Sequence, residues 1–232
     1  LAIDPSSQSL QKILTKLPSI RKLKCARSYE SGEEPTRIGD RILVFEPLSQ
    51  LESLNLSFFA GYGFKFPLNL KKLTLSRNRQ PWSEISTIGK LPNLEVLKLL
   101  HRSFDGEEWE MKDGEFPNLR ALKLSSLRFR SWTASFDNFP RLEKLVLHDC
   151  ENLEELPSCL GECPTLEIIE VKWCRESVAS SVKQIQQEQI DTGNETLKIL
   201  IEDCVDLWSP SEEEEEEEEE SSPSETESIS SQ

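Results

Sequence analysis

Apolar residues along the chain recur in one short string, filled at its first, fourth and sixth places and often opened by Pro. It reads LPSIRKLKC, LSQLESLNL, LNLKKLTL, LPNLEVLKL, FPNLRALKL, FPRLEKLVL and CPTLEIIEV. The first places are Ile20, Leu51, Leu70, Leu94, Leu119, Leu142, Leu166 and a degenerate Thr196, at spacings of 31, 19, 24, 25, 23, 24 and 30. Alternation around the fourth and sixth places has the period of a strand, whose successive side chains point to opposite faces. Self-similarity at such a period belongs to repeat architectures, in which each unit buries its apolar side only against its neighbours.

Three residues after the sixth place, Asn or Cys completes a leucine-rich-repeat pattern. Asn78, Cys150, Cys174 and Cys204 stand there, where a small polar or thiol side chain satisfies turning backbone groups inside the stack. The same rule sets the last unit on Thr196, Ile199, Ile201 and Cys204. The predicted fold is therefore an α/β repeat: a leucine-rich-repeat solenoid, or right-handed horseshoe, with a parallel concave β-sheet and an irregular to helical convex side. About eight repeats fill residues 1–207, and Leu1 and Ile3 match the closing part of a strand, so the array is expected to begin before residue 1. Pro18, Pro92, Pro117, Pro140 and Pro164 each stand two residues before a first place and are expected to end the preceding convex segment. Two long spacings mark insertions. ARSYESGEEPTRIGD, near residues 26–41, reads as an exposed loop. SVASSVKQIQQEQIDTGN puts Val178, Val182 and Ile185 on one helical face ahead of a Thr-Gly-Asn stop, which predicts a convex-side helix.

Composition refines this picture mainly through charge. The chain carries a net −15, yet its last 25 residues, from Trp208, hold 11 of the 42 acidic residues and no Lys or Arg, leaving 31 acidic and 27 basic residues in the body. Residues 208–232 form a Glu/Ser-rich tail, expected to be disordered because it offers almost no apolar surface to offset the entropy of ordering. The body lacks the basic excess that drives binding to phosphate backbones, so no nucleic acid is expected as partner. No stretch nears the roughly 20 apolar residues that span a bilayer, and no membrane role is expected. Enzyme chemistry has little to work with: His101 and His148 are the two histidines, and neither lies in HExxH, GxSxG or a comparable setting. Cys150, Cys159, Cys163 and Cys174 lack the spacing of zinc pairs and read as buried free thiols, so no metal, cofactor or catalytic residue is assigned. Trp82, Trp109 and Trp132 fall between strands and read as packing beneath the convex side.

FPNLRALKLSSLRFRSW, FPRLEKLVLHDCENLEELPSCLGECPTLEIIEVKWC and SSVKQIQQEQIDTGNETLKILI, in that order, resemble the closing repeats of plant nucleotide-binding leucine-rich-repeat disease resistance receptors. The resemblance is strongest to the coiled-coil, late-blight-resistance type and covers residues 1–207; the acidic tail is not a family feature. It implies a cytoplasmic, plant-defence module that recognises a pathogen effector or host protein and restrains the nucleotide-binding module of the same receptor. The chain departs from the family in having no GxxxxGK[ST] phosphate loop, so no nucleotide switching is assigned to it. A substrate adaptor of a ubiquitin ligase, which also uses Cys-ended repeats, is the alternative.

Side chains standing between the strand anchors point to the concave face. Lys occurs there in seven of eight strands, and the candidate protein-binding residues are Lys72, Lys98, Leu100, Lys123, Lys144, Val146, His148, Ile168 and Lys172. One reading is a cationic stripe that docks an acidic partner; the other is a solubility device. Val96, Leu100, Val146 and Ile168 are expected to form an exposed apolar island. The run Glu212–Glu220 adds a further pair of readings, a tail that folds back over the stripe or a solvated acidic tail.

Overall fold

The computed structural model describes residues 41–204 continuously, with residues 19–27 and positions 14, 16 and 17 before them. Leu1, Ile3, Pro18, most of the first insertion and the tail 208–232 lie outside the described residues.

Eight five-residue strands form one parallel sheet in sequence order: β1 (Lys22–Ala26), β2 (Ser53–Ser57), β3 (Lys72–Ser76), β4 (Val96–Leu100), β5 (Ala121–Ser125), β6 (Lys144–His148), β7 (Ile168–Lys172) and β8 (Lys198–Glu202). The fourth places run through it as one row, Leu23, Leu54, Leu73, Leu97, Leu122, Leu145, Ile169 and Ile199. The sixth places make a second row, Cys25, Leu56, Leu75, Leu99, Leu124, Leu147, Val171 and Ile201. From β1 to β7 every member of both rows is buried. Each buried Leu contributes roughly 1.5–3 kcal/mol, and only a neighbouring repeat can cover it. Ile199 and Ile201 are half-buried, because β8 is the last strand of the sheet.

The last unit corrects one assignment. Thr196 is exposed and donates its hydroxyl hydrogen to Asn194 Oδ1 at 2.6 Å, while Leu197 is buried in the first-place position. The first place then lies two rather than three residues before Ile199, so the unit is one residue shorter there, and the apolar side chain wins the core.

Proline works differently from the expectation that it halts a helix. The backbone N–H of Leu94, Leu119, Leu142 and Leu166 donates to the carbonyl three residues back, on Leu91, Phe116, Phe139 and Cys163. Pro92, Pro117, Pro140 and Pro164 thus occupy the second position of a β-turn, which their fixed φ suits. Only Pro92 and Pro164 follow short helical turns, α1 (Ile85–Gly89) and the 3-10 turn Ser158–Glu162.

A second turn recurs at the other end of each strand. Phe58, Arg77, His101, Ser126, Asp149, Trp173 and Asp203, each the residue after a strand, have φ between 48° and 68°. No glycine stands at any of them, although the left-handed region costs an L-residue roughly 1–2 kcal/mol. A ladder of hydrogen bonds offsets it: the N–H of Phe58, His101, Ser126 and Asp149 donates to Ser76, Ser125, His148 and Lys172 of the next strand at 2.8–3.0 Å. The left-handed residue swings the chain off the sheet toward the convex side while its N–H stays paired.

On the convex side, Trp109 stacks between Trp82 and Trp132 at 4.8 Å from each, with Phe129 edge-on to Trp82 and Trp109. The paired segments Glu108–Glu110 and Ser131–Thr133 hold Trp109 and Trp132 in register. The expected helix is present as α2 (Glu176–Asp191), burying Val178, Ala179, Val182 and Ile185. Gln189 fastens it: this buried amide donates to the carbonyls of Gly161 and Cys163, both at 2.8 Å. Gln189 continues the face of Val178, Val182 and Ile185 four residues on, but it is polar, so the hydrophobic pattern does not reveal it.

Candidate protein-binding face

Strand alternation puts three side chains per strand on the face opposite the connections. Pairing makes them into three rows: Lys22, Ser53, Lys72, Val96, Ala121, Lys144, Ile168, Lys198; then Lys24, Asn55, Thr74, Lys98, Lys123, Val146, Glu170, Leu200; then Ala26, Ser57, Ser76, Leu100, Ser125, His148, Lys172, Glu202. All nine candidate residues lie on this face. They do not form one stripe.

Three of them, Lys123, Lys144 and His148, meet in a network with Glu170 on β5–β7. Lys123 Nζ lies 3.3 Å from His148 Nδ1, and His148 Nε2 lies 2.8 Å from Glu170 Oε1. An ammonium only donates, so Nδ1 accepts from Lys123 and Nε2 carries the proton given to Glu170. Lys144 Nζ approaches the other oxygen of Glu170 at 3.5 Å. Hydrogen bonding from His148, joined by the charge of Lys144, holds the Glu170 carboxyl below its ordinary pKa against partial burial. Next to this group, Lys172 reaches Glu202 at 2.6 Å and lies 4.6 Å from the centre of the Trp173 ring. Its pKa is raised, chiefly by the hydrogen bond to Glu202.

The expected apolar island is not formed. Val146 is only 6% exposed, lying in register between Lys123 and Glu170 with Lys144 and His148 two residues to either side. Val96 and Leu100 stand at opposite ends of β4, about 13 Å apart at ~3.3 Å per residue. Ile168 is three strands away from them. Leu200, 53% exposed on β8, is the most open apolar side chain of the face.

The first four strands are unlike the last four. Lys22, Lys24, Lys72 and Lys98 are exposed, share β1–β4 with no carboxylate, and make no ion pair among the described residues. Arg77, at the left-handed turn after β3, extends the same charge and lies 5.2 Å from the Phe58 ring. Lys98 and Lys123 are direct partners across the β4–β5 boundary, so two like charges face each other where the halves meet. The turn residues Arg77, His101 and Trp173 were not marked by the repeat pattern, because their exposure depends on a backbone turn that no glycine signals.

Cys25, Cys150, Cys163 and Cys174 are buried free thiols, whereas Cys159 and Cys204 are partly exposed. Cys150 donates to His148 O at 3.6 Å and Cys174 to Lys172 O at 3.5 Å, one rung apart in the inner ladder. The Cys150 thiol is pushed up by its hydrogen bond with Cys174 and by burial, and burial takes Cys25 and Cys159 to about 11. Among the described residues no group of three or more His, Cys, Asp and Glu side chains is placed to hold a metal ion, and no helix is long and apolar enough to cross a membrane.

No family model matches the chain. Its sequence is 39% identical over 201 residues to the late blight resistance protein homolog R1B-16 of Solanum demissum, covering 84% of this chain and 15% of that protein. Identity to the R1B-12 and R1B-13 homologs of the same plant is 40% over 205 residues, covering 84% of this chain and 14% and 17% of theirs. Among solved structures, an internalin of Listeria monocytogenes matches with a TM-score of 0.30 and 16% identity, over 86% of this chain and 75% of its own. That likeness is slight, and the fold rests on the strand pairing itself. The chain is a leucine-rich-repeat solenoid of the late blight resistance protein homolog family, corresponding to a stretch about one seventh as long as those proteins.

Proposed function

We propose that the chain is a protein-recognition module of an intracellular plant immune receptor, and that the basic half of its concave face docks an acidic surface of a partner protein. The observation that carries this reading is the set Lys22, Lys24, Lys72 and Lys98, exposed on β1, β3 and β4 with no carboxylate on the concave side of β1–β4. Complementary charge of this kind favours encounter and orientation over raw affinity. Partner classes are a pathogen effector, a host protein, or the nucleotide-binding module of the same receptor, which the repeats would then restrain at rest. Lys123, Lys144, His148 and Lys172 take a secondary part, because Glu170 and Glu202 already satisfy them; Leu100 and Ile168 supply isolated apolar contacts. The likeness to resistance protein homologs favours this reading over a ubiquitin-ligase adaptor.

The test is capture from leaf extract with the wild-type chain, the pair Lys72→Glu plus Lys98→Glu, and the pair Lys144→Glu plus Lys198→Glu. The expected result is a set of captured proteins lost with the first pair and with 0.3 M salt, and kept with the second. An unchanged set after reversal of Lys72 and Lys98 would sink the reading.

A further inference from the structure

We infer that the basic half of the concave face is occupied in cis by the chain's own acidic run, Glu212–Glu220, which competes there with other acidic ligands. The inference rests on the charge asymmetry used for the proposed function and names the regulation of that same face.

Charge placement is the first support. On β1–β4 and the turn after β3, the cations are Lys22, Lys24, Lys72, Lys98 and Arg77, with no acid among the concave side chains. On β5–β8 and their turns, Lys123, Lys144, Lys172 and Lys198 are matched by Glu170, Glu202, Asp149 and Asp203. A run of nine carboxylates therefore meets a balanced surface on the half nearest its attachment and an unopposed cationic surface on the far half.

Reach is the second support. Cys204 follows β8 and closes the described part of the sheet. Strand spacing of ~4.8 Å puts β4 about 19 Å from β8 and β1 about 34 Å away. Eight residues lead from Cys204 to Glu212, and any polypeptide of that length extends up to about 26 Å at ~3.3 Å per residue. The glutamates then continue for about as far again, so the run begins within reach of β4 and ends beyond the distance of β1.

Tethering is the third. A segment joined through a short linker is present at its site at an effective concentration on the order of millimolar, which lets individually weak Lys–Glu contacts compete with a free ligand. Such contacts are screened over ~8 Å at physiological salt, so occupancy falls as salt rises.

The test uses the full-length chain, a full-length variant whose nine glutamates are replaced by alternating Gly and Ser, and the synthetic peptide SEEEEEEEEESSPSE as probe. At 50 mM salt the neutral-tail chain is expected to bind the peptide, and the wild-type chain to bind it at least about tenfold more weakly because its own run competes. In the neutral-tail background, Lys72→Gln plus Lys98→Gln is expected to abolish binding and Lys144→Gln plus Lys198→Gln to leave it, with circular dichroism confirming that each variant keeps its fold. Equal affinity of wild-type and neutral-tail chains would overturn the inference, as would absence of binding to the neutral-tail chain or equal loss from both glutamine pairs. No partner protein enters the measurement, so it can fail while capture from leaf extract succeeds, and succeed while that capture fails.

Discussion

Strands β1–β4 and β5–β8 stand on the same two buried rows, joined at Leu97 and Leu122 without a break, and yet present different electrostatics on the face between the anchors. The first half carries four exposed lysines and Arg77 with nothing to balance them. The second half carries four lysines as well, but Glu170 and Glu202 stand one rung away from Lys144 and Lys172 and draw them into pairs at 3.5 and 2.6 Å. In a parallel stack adjacent rungs lie about 4.8 Å apart, so a single carboxylate neutralises residues of two repeats. A repeat scaffold thus lets one stretch of its surface be occupied by internal pairing and leaves another open to outside ligands, with no change in the core.

The largest effect that bears on this comparison comes from the shared core. Leu122, 1% exposed and the first inner anchor of β5, touches the boundary between the halves. Leu122→Ala is expected to cost about 3 kcal/mol, within the 2–5 kcal/mol of such truncations. Because each repeat is covered only by its neighbours, denaturation followed by far-UV circular dichroism is expected to stay a single, shifted transition. Two separated transitions would make the halves independent units and end their treatment as one scaffold.

Removing the acid that balances the second half should make it resemble the first. Glu170→Gln frees Lys144 and leaves His148 Nε2 facing a neutral amide. Binding of the acidic peptide to the neutral-tail chain is expected to rise roughly threefold, as one partly exposed ion pair is worth ~0.2–1 kcal/mol. If affinity does not move, internal pairing is not what separates the halves. Stability should fall by less than about 1 kcal/mol in the same variant.

The same pair has a pH signature. The Glu170 carboxyl is held below its ordinary value, first by the hydrogen bond from His148. A depressed carboxyl contributes stability above its unfolded pKa, near 4.3, and that contribution is lost as pH falls through the lower folded value. The stability difference between wild type and Glu170→Gln is therefore expected to shrink as pH drops from about 5 toward 3. A difference that grows on acidification would contradict the assignment of the proton on Nε2 and the pairing that follows from it.

The sheet and its register were legible because Leu at the fourth and sixth places leaves only one arrangement that buries every anchor. The helix over residues 176–191 was legible for the same reason, through Val178, Val182 and Ile185. The pattern was silent about groups whose role depends on a neighbour 20 or more residues away. Gln189 bonds to carbonyls on residues 161 and 163, Asn118 donates across a repeat to Pro92 O at 2.7 Å, and Glu170 reaches His148. Position on the concave face was readable for Lys72, Lys98, Lys123, Lys144 and Lys172; accessibility was not, since it depends on which residue occupies the next rung. Val146 shows the same limit, being apolar, correctly placed between anchors, and still covered.

The smallest expected effect is also the one with opposite consequences for fold and binding. Lys98 and Lys123 face each other across β4 and β5, and like charges directly opposite in a sheet oppose its stability. Lys123 has turned to His148, whereas Lys98 has no ion pair among the described residues. Lys98→Glu is expected to stabilise the chain by a few tenths of a kcal/mol, toward ~1 kcal/mol at most, by exchanging a repulsion for a cross-strand pair. The same change removes one of the unopposed cations and adds an acid to the half that has none, so peptide binding by the neutral-tail chain should weaken. A site retained at some expense to the fold is what a binding surface looks like, whereas a surface tuned only for solubility has no reason to keep two lysines opposed. Thermal denaturation and peptide titration of the single variant, read together, separate the two: a gain in stability with unchanged binding would assign Lys98 to the surface alone.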